Sequence, residues 1–589
     1  MISIKIGGAA GQGVFVLGRS LGRLFLKEGF YVFGYPEYPS LIRGGHNAYQ
    51  IILSSNKIYS PLDRNDIILA LNKQAIKFHK PHLSEKGFII TDESIEIEGE
   101  NIIKSPLTKI ISEVGGNARM LNIALMGEMA ALMNLNLNNI NEIIESEFSK
   151  KGEKIVEINQ LVAKNAYDYI KEHYPNTKIV LPEKPEKRKR YYIGGNESLG
   201  LGFIKGGLKF YSAYPMTPAS SLLHFLVKKA EKHKINVIQS EDEIAAANMA
   251  VGAAFSGLRA ATGTSGGGFA LMTETVGMAA LAETPIVFFI AQRTGPSTGM
   301  PTWTEQADLF QALGASQGEF LRIILAPQNA EDMIYIGSSA LNLAEKYQLP
   351  VIILSDKFLS ESHYTVEDIT TEPIERGKIA DNLPNLNVGE RFKRYLLTDD
   401  GISPRTFPGM ANGEHVATSY EHEEDSYSTE NFEMRAKQVN KRLKKLRLIE
   451  KEAYKPEIIG EGDVDIITWG SHFGIAHLTQ KMLKEEGINV RVVNFRWIYP
   501  LFKHMVDGLN EKRIIVENNR TGLFEKLLRM ELNFNVTASI RKFNGRPMFP
   551  IQLKEKIKEV LNDEFKQKIY LIEKEEFEPY EYYSPWRYE

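Results

Sequence analysis

The 589-residue chain contains no cysteine. Without thiols it cannot build a disulfide framework, and it cannot bind an iron–sulfur cluster through cysteine in the usual way. Any chemistry that requires such a cluster would therefore need a partner chain that carries it.

Long apolar runs and a strong net charge are also absent. The best apolar run, residues 285–291, has the length of a strand rather than of a membrane span. The formal net charge of −3 gives no argument for binding to nucleic acid or to a membrane. The first six residues read as a strand and lack the features of a signal peptide. By elimination, these absences favour a cytoplasmic protein with neither nucleic acid nor membrane as a partner.

The length is too great for one hydrophobic core, so three or more domains are expected. Over residues 1–175, short apolar strands alternate with helical patterns, which predicts an α/β domain. Residues 176–190 are rich in proline and charge and are interpreted as an exposed linker with a solvated basic run. A second α/β domain is predicted over residues 191–370.

The remainder of the chain divides into three parts. Residues 371–455 form a long connection that begins with a proline- and acid-rich stretch and ends in a basic helix, whose lysines are interpreted as a solvated face. A third α/β domain is predicted over residues 456–575. The tail, residues 576–589, is aromatic and acidic, and we expect it to dock on this chain or on a partner.

A glycine-rich segment, residues 7–13, follows the first strand and precedes an apolar helix. Backbone N–H groups near Gly8, Gly11 and Gly13 could face a phosphate. A tight turn that permits close helix–strand packing accounts for the same glycines. Arg43, beside two further glycines, could also meet a phosphate or lie in a turn. No clean acidic residue follows at the end of the second strand, where a ribose hydroxyl would need one, and this disfavours a nicotinamide dinucleotide.

Residues 214–218, with the sequence Tyr-Pro-Met-Thr-Pro, lie between a predicted strand and a predicted helix over 219–230. Thr217 suits the N-cap of that helix, and Pro218 suits its first position. The carboxyl end of a strand meeting the N-terminus of a helix is also where α/β folds bind ligands. The pattern is thus compatible with a capped helix alone or with a ligand site.

Three acids, Glu241, Asp242 and Glu243, open a helix made almost entirely of small apolar residues. The helix dipole favours acids at the N-terminus of a helix, and this effect alone would explain their presence. A helix of this composition should be buried, however, and a carboxylate at its mouth is a candidate acid–base group. Glu243 is the best placed, because residues 246, 247 and 250 continue its face into the predicted packing surface.

Two more segments follow strands in the same way. Residues 262–268, Thr-Gly-Thr-Ser-Gly-Gly-Gly, come after a short strand and precede a helix. Arg293 follows the strand at 286–291 and is surrounded by small and hydroxyl residues. That setting fits bidentate recognition of a carboxylate, although a surface ion pair would also explain the arginine.

Taken in order, the segments YPMTP, QSEDEIAAANMAVGAAFSGLRAATGTSGGGF and QRTGPSTGMPTWTEQAD closely resemble the alpha subunit of 2-oxoacid:ferredoxin oxidoreductases. GAAGQGVFVLGRSL and YPSLIRGGHNAYQ resemble the family's gamma domain. The segments DVDIITWGSHFGIAHLTQKMLKEEGINVRVVNFRWIYP and VENNRTGLFEKLLR resemble its transketolase-C-terminal-like domain. The resemblance covers nearly the whole chain and predicts a multidomain α/β protein: a gamma-type domain, a thiamine-diphosphate pyrimidine-type domain and a transketolase-C-terminal-like domain.

The resemblance implies an enzyme that uses thiamine diphosphate and coenzyme A to convert a 2-oxoacid to an acyl-CoA and CO₂, with ferredoxin as the electron acceptor. A separate beta subunit would carry Mg²⁺, the diphosphate site and the iron–sulfur cluster, so this chain itself would hold no metal. Two absences agree with that division. The chain lacks cysteine, and it lacks a Gly-Asp-Gly segment followed at a distance by Asn.

The resemblance also implies roles for individual residues. Thr217 would hydrogen-bond the oxoacid, Arg293 would pair with its carboxylate, and Glu243 would contact N1′ of the cofactor's aminopyrimidine. Further contacts are expected from the loop residues Tyr214, Pro215, Met216 and Pro218 and from the cofactor-binding residues Thr264, Ser265 and Gly266. Coenzyme A becomes a candidate ligand for the N-terminal glycine loop with Arg43.

Three departures from the family pattern lie near the expected substrate: Met216 in place of Ile, Gly267 in place of Pro and Thr294 in place of Gly. They leave the identity of the oxoacid, whether pyruvate, 2-oxoglutarate or another, undetermined. Two other readings are a thiamine-dependent dehydrogenase or transketolase component without ferredoxin, and a non-catalytic assembly paralog. The gamma-like domain disfavours the first, and the retained Thr217, Glu243 and Arg293 disfavour the second.

Overall fold

A computed structural model describes residues 1–41, 45–99, 101–186, 188–380, 383, 390–563 and 568–573. Arg43 and the predicted tail at 576–589 lie outside the described residues. Within the described part of the chain, no helix is long and apolar enough to cross a membrane.

The N-terminal part of the chain, up to residue 173, alternates strands and helices as predicted. Its elements are β1 (Ile2–Ala9), α1 (Val14–Lys27), β2 (Tyr31–Glu37), β3 (His46–Ser54), β4 (Asn65–Ala70), α2 (Lys73–His79), β5 (Leu83–Asp92), β6 (Ile102–Ser105), α3 (Leu107–Glu113), α4 (Leu121–Leu132), α5 (Leu137–Phe148) and α6 (Glu153–His173).

The central part again alternates the two kinds of element. They are β7 (Tyr191–Gly194), α7 (Gly195–Lys205), β8 (Phe210–Ala213), α8 (Ser220–His233), β9 (Asn236–Gln239), α9 (Glu243–Phe255), β10 (Ala260–Thr264), α10 (Gly266–Leu281), β11 (Ile286–Gln292), α11 (Leu309–Leu313), β12 (Ile323–Leu325), α12 (Ala330–Tyr347), β13 (Pro350–Asp356), α13 (Lys357–Glu361) and β14 (His363–Val366).

Two helices lead into the C-terminal part, which ends in a further α/β unit. The elements are α14 (Phe432–Lys444), α15 (Leu446–Glu452), β15 (Glu457–Gly460), β16 (Val464–Trp469), α16 (His472–Glu485), β17 (Arg491–Phe495), β18 (Trp497–Tyr499), β19 (Lys512–Glu517), α17 (Leu523–Leu532), β20 (Ala538–Lys542), α18 (Pro550–Asn562) and β21 (Ile569–Ile572).

The strands form three sheets, and two of these combine strands from different parts of the chain. The first sheet has eight strands in the order β6-β5-β4-β1-β3-β2-β14-β7, so both end strands of the central part belong to it. The second has seven strands in the order β18-β12-β13-β11-β10-β8-β9, with β18 supplied by the C-terminal part. The third has six strands, in the order β15-β17-β16-β19-β20-β21. The multidomain α/β prediction is confirmed.

The second sheet is the one that positions the candidate site. Its neighbours β9, β8, β10, β11, β13 and β12 pair in parallel, and only the added β18 runs antiparallel to its partner. All seven residues of β11 and of β13 are buried, as expected for central strands covered by helices on both faces. The carboxyl ends of β8, β10 and β11 therefore meet at one edge of the sheet.

The basic helix contradicts the prediction of a solvated lysine face. Lys441 and Lys445 are each 2% exposed and bind opposite oxygens of Glu283, whose exposure is 0%. The Nζ of Lys445 lies 2.7 Å from Oε2 of Glu283. Burial alone would raise the pKa of Glu283, but the two ammonium groups outweigh it and hold this pKa well below its usual range. Burial lowers the pKa of Lys441 to about 8.

The linker prediction also needs one correction. Most of the described residues of 181–190 are exposed or half-buried, but the side chain of Arg190 is only 4% exposed. Its Nε lies 2.9 Å from Oε1 of Glu367, and its Nη1 donates to the carbonyl oxygen of Gly29 at 2.7 Å. The last arginine of the basic run thus attaches the linker to the turn before β2 and to the residue that follows β14.

Replacing Glu283 by alanine should destabilise the chain strongly, because two buried ammonium groups would lose their carboxylate. Breaking a buried ion pair from one side costs about 3–5 kcal/mol. We expect the first thermal unfolding transition to fall by several degrees. Glu319→Ala, at an exposed glutamate, is the control and should leave the transition unchanged. Equal melting temperatures for the two variants would contradict a structural role for this cluster.

Candidate functional site

The predicted segments come together at the carboxyl edge of the second sheet. Residues 214–218 follow β8, Ser265 and Gly266 follow β10, and Arg293 follows β11. Met216, Ser265, Gly266 and Arg293 line one cleft of about 740 Å³. The cleft is also lined by residues of two later stretches, 295–298 and 305–311.

Glu243 is the first residue of α9 and is only 4% exposed. Its Oε1 is buried and has no hydrogen-bond partner among the described residues. Asp242 is the N-cap, and its side chain accepts from the backbone N–H of Ala245 at 2.7 Å. Glu241 is exposed. Of the three acids, Glu243 alone has the buried, unsatisfied carboxylate that an acid–base group at a binding site would have.

The carboxylate of Glu243 lies against the first turn of α10. A Cβ added to Gly268 would come within 2.6 Å of Glu243 Oε1 and within 2.1 Å of Thr264 Oγ1. Residues 246, 247 and 250 of α9 are buried, as the helical spacing predicted. The small residues of α9 and α10 let the two helices approach closely, and this approach holds Glu243 at the edge of the sheet.

Arg293 is half-buried and is not part of a surface ion pair. Its Nη1 donates to the carbonyl oxygen of Thr217 at 2.7 Å, and its buried Nε has no partner among the described residues. Burial lowers the pKa of Arg293, and the nearby carboxyl group of Asp308 opposes that shift. The backbone of one predicted substrate residue thus orients the side chain of another.

The prediction that Thr217 caps α8 is wrong. The helix begins at Ser220, its N-cap is Ala219, and no side chain caps it. The N–H groups of Ala219 and Ser220 both donate to the carbonyl oxygen of Met216, so a turn separates Thr217 and Pro218 from the helix. The Sδ of Met216 accepts from Thr264 Oγ1 at 3.7 Å. Tyr214 is 40% exposed at the start of the turn.

Two acids of the cleft were not singled out in the sequence. Burial raises the pKa of Glu305 to about 7, although a hydrogen bond from the N–H of Gly295 opposes the rise. Burial likewise raises the pKa of Asp308 to about 6, although the positive charge of Arg293 opposes the rise. Both lie in the segment TEQAD, directly after the loop that begins at Arg293. Their position in the sequence, next to that loop, could have identified them as site residues.

The N-terminal glycines divide between a strand and a turn. Gly8 belongs to β1, where a Cβ would come within 2.9 Å of Leu71, so Gly8 serves packing. Gly11 and Gly13 have φ angles of +92° and +81°, which favour glycine. Between them, Gln12 Oε1 accepts from the N–H of Ala9 at 2.6 Å. Binding of an anion at this turn stays a prediction, and its second element, Arg43, lies outside the described residues.

Comparison with known proteins identifies three family matches in the chain. A family described as "Pyruvate ferredoxin/flavodoxin oxidoreductase" matches residues 3–169. The family "Pyruvate flavodoxin/ferredoxin oxidoreductase, thiamine diP-bdg" matches residues 201–441, and "Transketolase, C-terminal domain" matches residues 457–553.

Individual relatives match almost from end to end. The 2-oxoacid:ferredoxin oxidoreductase subunit alpha of Saccharolobus solfataricus is 34% identical over 95% of this chain and 98% of its own length. The 2-oxoglutarate oxidoreductase subunit KorA of Mycobacterium tuberculosis is 26% identical over 95% and 89%. The solved structure of the Magnetococcus marinus 2-oxoglutarate:ferredoxin oxidoreductase, with 2-oxoglutarate, coenzyme A and succinyl-CoA bound, is 31% identical. It covers 95% of this chain and 99% of its own chain with a TM-score of 0.85.

These similarities and the fold define an oxidoreductase subunit built around a thiamine-diphosphate-binding domain. The chain belongs to the family of 2-oxoacid:ferredoxin oxidoreductase alpha subunits. The family assignment made from the sequence motifs is confirmed.

The residues at the sheet edge fit the pyrimidine half of thiamine diphosphate. Within the described part of the chain, the buried carboxylate oxygen Oε1 of Glu243 has no hydrogen-bond partner, and neither has the buried hydroxyl of Ser265 at the N-terminus of α10. Gly268 leaves the space beside Glu243 that a side chain would fill. The described residues contain no group of three or more His, Asp or Glu side chains placed to hold a metal ion.

Adding a methyl group at Gly268 should disturb this arrangement, whereas adding one at Gly267 should not. A Cβ at Gly267 would have no atom within 4 Å. Gly268→Ala should cost about 1–3 kcal/mol of unfolding free energy through overpacking. Gly267→Ala should be neutral or stabilising by about 0.5–1 kcal/mol, because alanine is the better helix former. Urea unfolding of the two variants measures the difference. Equal stability would show that Gly268 is not the close contact described.

Proposed function

We propose that this chain is the catalytic alpha subunit of a coenzyme-A-acylating 2-oxoacid:ferredoxin oxidoreductase. The reaction converts a 2-oxoacid and coenzyme A to an acyl-CoA and CO₂, and passes two electrons to ferredoxin. The observation that carries the proposal is the buried, unpartnered carboxylate oxygen of Glu243 at the carboxyl edge of the thiamine-type sheet. The Magnetococcus marinus structure, which binds 2-oxoglutarate and coenzyme A, supports the reaction type.

Glu243 would hold the aminopyrimidine of thiamine diphosphate and share a proton with its N1′ atom. When bound, thiamine diphosphate supplies the nucleophilic carbon that attacks the oxo group and takes up the electrons left by the loss of CO₂. Glu243 is suited to the proton-holding task because its oxygen is shielded from water and has no competing donor. Thr264, Ser265 and Gly266 would bound the cofactor on the side of α10.

The substrate would bind in the cleft beside Arg293. The buried Nε of Arg293 has no acceptor among the described residues, and a substrate carboxylate would supply one while Nη1 stays on the carbonyl oxygen of Thr217. The Thr217 hydroxyl would donate to the oxoacid. Tyr214, Pro215, Met216 and Pro218 would shape the turn that carries Thr217.

A beta subunit would complete the site by supplying Mg²⁺, the diphosphate contacts and the iron–sulfur cluster. The sequence has no cysteine and no Gly-Asp-Gly…Asn pattern for these tasks. Large apolar side chains surround the sheet edge on α9, α10 and α11: Ile244 is 50% exposed, Met249 43%, Leu271 52% and Phe310 37%. We propose this apolar face as the surface that the beta subunit covers, with ferredoxin reached through the partner's cluster.

The role of Glu243 can be separated from that of its exposed neighbour. Glu243→Gln and Glu241→Gln would be made in the complex purified with its partner, and exchange of the C2 proton of bound thiamine diphosphate with deuterium would be followed. Glu243→Gln should slow the exchange by roughly 10²–10⁴-fold, the usual range for general acid–base catalysis. Glu241→Gln should exchange like the wild type. Wild-type exchange in Glu243→Gln would refute the assignment.

Arg293→Ala should impair use of the oxoacid but not retention of thiamine diphosphate. Truncating one partner of a buried charge pair costs about 2–5 kcal/mol, which lowers kcat/KM by about 30- to several-thousand-fold. Thr217→Ala should cost less, since one hydrogen bond to a charged group contributes about 1.5–3 kcal/mol. The measurement is 2-oxoacid-dependent reduction of ferredoxin in the presence of coenzyme A. Near-normal kcat/KM in Arg293→Ala would exclude Arg293 as the carboxylate partner.

A further inference from the structure

Asp308 occupies the N-cap position of α11 but does not cap that helix. Aspartate at this position ordinarily accepts a backbone N–H of the first turn, and the side chain here makes no such bond. Instead the carboxyl group lines the cleft beside Arg293. Its Oδ2 is buried and has no partner among the described residues. The stabilisation that a cap would give is forgone, and the buried oxygen lies in the wall of the cleft.

The carboxyl group is packed against the start of α10. A Cβ added to Gly266 would come within 2.3 Å of Asp308 Oδ2, so the oxygen lies close to the first residue of that helix. Ser265, the N-cap of α10, is buried, and its hydroxyl likewise has no hydrogen-bond partner among the residues that the structure describes. Two unsatisfied polar groups from different segments therefore flank the same end of the cleft.

The backbone around Asp308 is fixed by the C-terminal part of the chain. The N–H of Gln306 donates to the carbonyl oxygen of Asn518 at 2.8 Å. The carbonyl oxygen of Gln306 accepts from Asn519 Nδ2 at 3.1 Å. The side-chain Nε2 of Gln306 donates to the carbonyl oxygen of Trp469 at 3.2 Å. On the other side, the N–H of Asp308 donates to Gln292 Oε1 at 3.0 Å. These bonds hold the backbone of Gln306 and Asp308 in place beside the cleft.

We propose that Asp308 is a further substrate-binding residue, whose neutral carboxyl group donates a hydrogen bond to the 2-oxoacid held by Arg293. This inference rests on the proposed function of the same cleft. A carboxylate ion beside the negatively charged substrate would repel it, whereas a carboxylic acid supplies a donor. Asp308 thereby adds a hydrogen bond to the charge pair made by Arg293.

The charges around Asp308 support its neutral form in the complex. The titratable side chains that line the cleft are Arg293, Glu305 and Asp308 itself. In the free chain, burial raises the pKa of Asp308 to about 6, and the pull of Arg293 limits the rise. A substrate carboxylate on Arg293 cancels that pull and adds a negative charge, so it must raise this pKa further. Substrate binding at neutral pH then takes up a proton.

The sign of the pH dependence follows from this coupling. The value of kcat/KM reports the ionisation of the free enzyme. Above about pH 6, Asp308 is ionised before the substrate binds and must gain a proton, so kcat/KM should fall as the pH rises past that value. Asp308→Asn keeps a donor of the same shape but cannot ionise. The variant should retain activity at neutral pH and lose the alkaline limb of the profile, which is the fall of kcat/KM above about pH 6.

The test uses the complex purified with its partner subunit and whichever of pyruvate, 2-oxobutyrate and 2-oxoglutarate the wild type uses best. We would measure kcat and KM from pH 5.5 to 8.5 for the wild type, Asp308→Asn, Asp308→Ala and Glu305→Gln. Asp308→Ala should lower kcat/KM by roughly 10- to 100-fold, mainly through KM, as expected for a lost hydrogen bond to a charged ligand. Asp308→Asn should stay within a few-fold of the wild type at pH 7, with a flat profile. Glu305→Gln should keep the limb.

Three results would overturn the inference. A kcat/KM for Asp308→Asn as low as that for Asp308→Ala would show that the ionised form is needed. The limb could persist in Asp308→Asn, or it could disappear in Glu305→Gln, which would assign the titration to another group. Thermal melting of each variant separates these outcomes from misfolding. A wild-type complex that turned over none of the oxoacids would instead reject the proposed function itself.

Discussion

Pairing between strands from different parts of the chain is the constraint on which the structure depends. β7 and β14 complete the sheet of the N-terminal part, and β18 extends the central sheet from the C-terminal part. A sheet edge presents rows of unpaired backbone groups that must be satisfied when buried. Because each borrowed strand satisfies such an edge, the parts cannot separate without exposing it. The chain is therefore held as one body although its sequence reads as successive α/β units.

The candidate site inherits its geometry from this arrangement. β18 runs beside β12 and brings the C-terminal part against the central sheet. There Asn518 and Asn519 fix the backbone of Gln306, and the carbonyl oxygen of Trp469 accepts from its side-chain amide. That segment carries Glu305 and Asp308 into the cleft, opposite the helices that bury Glu243. Among the described residues, the C-terminal part contributes none to the lining of the cleft, yet it helps to position two that line it. The geometry of a site at a sheet edge can thus depend on a unit that does not line it.

Much of this could be predicted from local pattern. The alternation of strands and helices, the family motifs and the burial of Glu243 follow from residues close in sequence, since the small residues of α9 continue the face that Glu243 begins. The errors have two sources, contacts made at long range and one local turn. Lys441 is predicted to be solvated because Glu283, which lies beside it, is 158 residues away in the sequence. Thr217 is predicted to be a helix cap because its sequence suits an N-cap as well as the turn that closes on the carbonyl oxygen of Met216. Asp308 is set by residues from 16 to more than 200 positions away.

Buried polar groups are normally paired, so a concentration of unpaired ones needs a physical reason. Other such atoms occur along the chain, but Glu243 Oε1, Ser265 Oγ, Arg293 Nε and Asp308 Oδ2 lie at one edge of one sheet. Exposed apolar side chains of α9, α10 and α11 surround the same edge. Elsewhere the chain pairs buried charges, as Glu283 shows.

The unsatisfied polar atoms and the exposed apolar surface at this edge have one explanation in common, which is that other molecules bind there. In the proposed complex, a beta subunit that covers the apolar face would also close the cleft to water, and the interactions of these buried polar atoms with a ligand would be strengthened. Under that proposal, assembly with the beta subunit and completion of the site are one event.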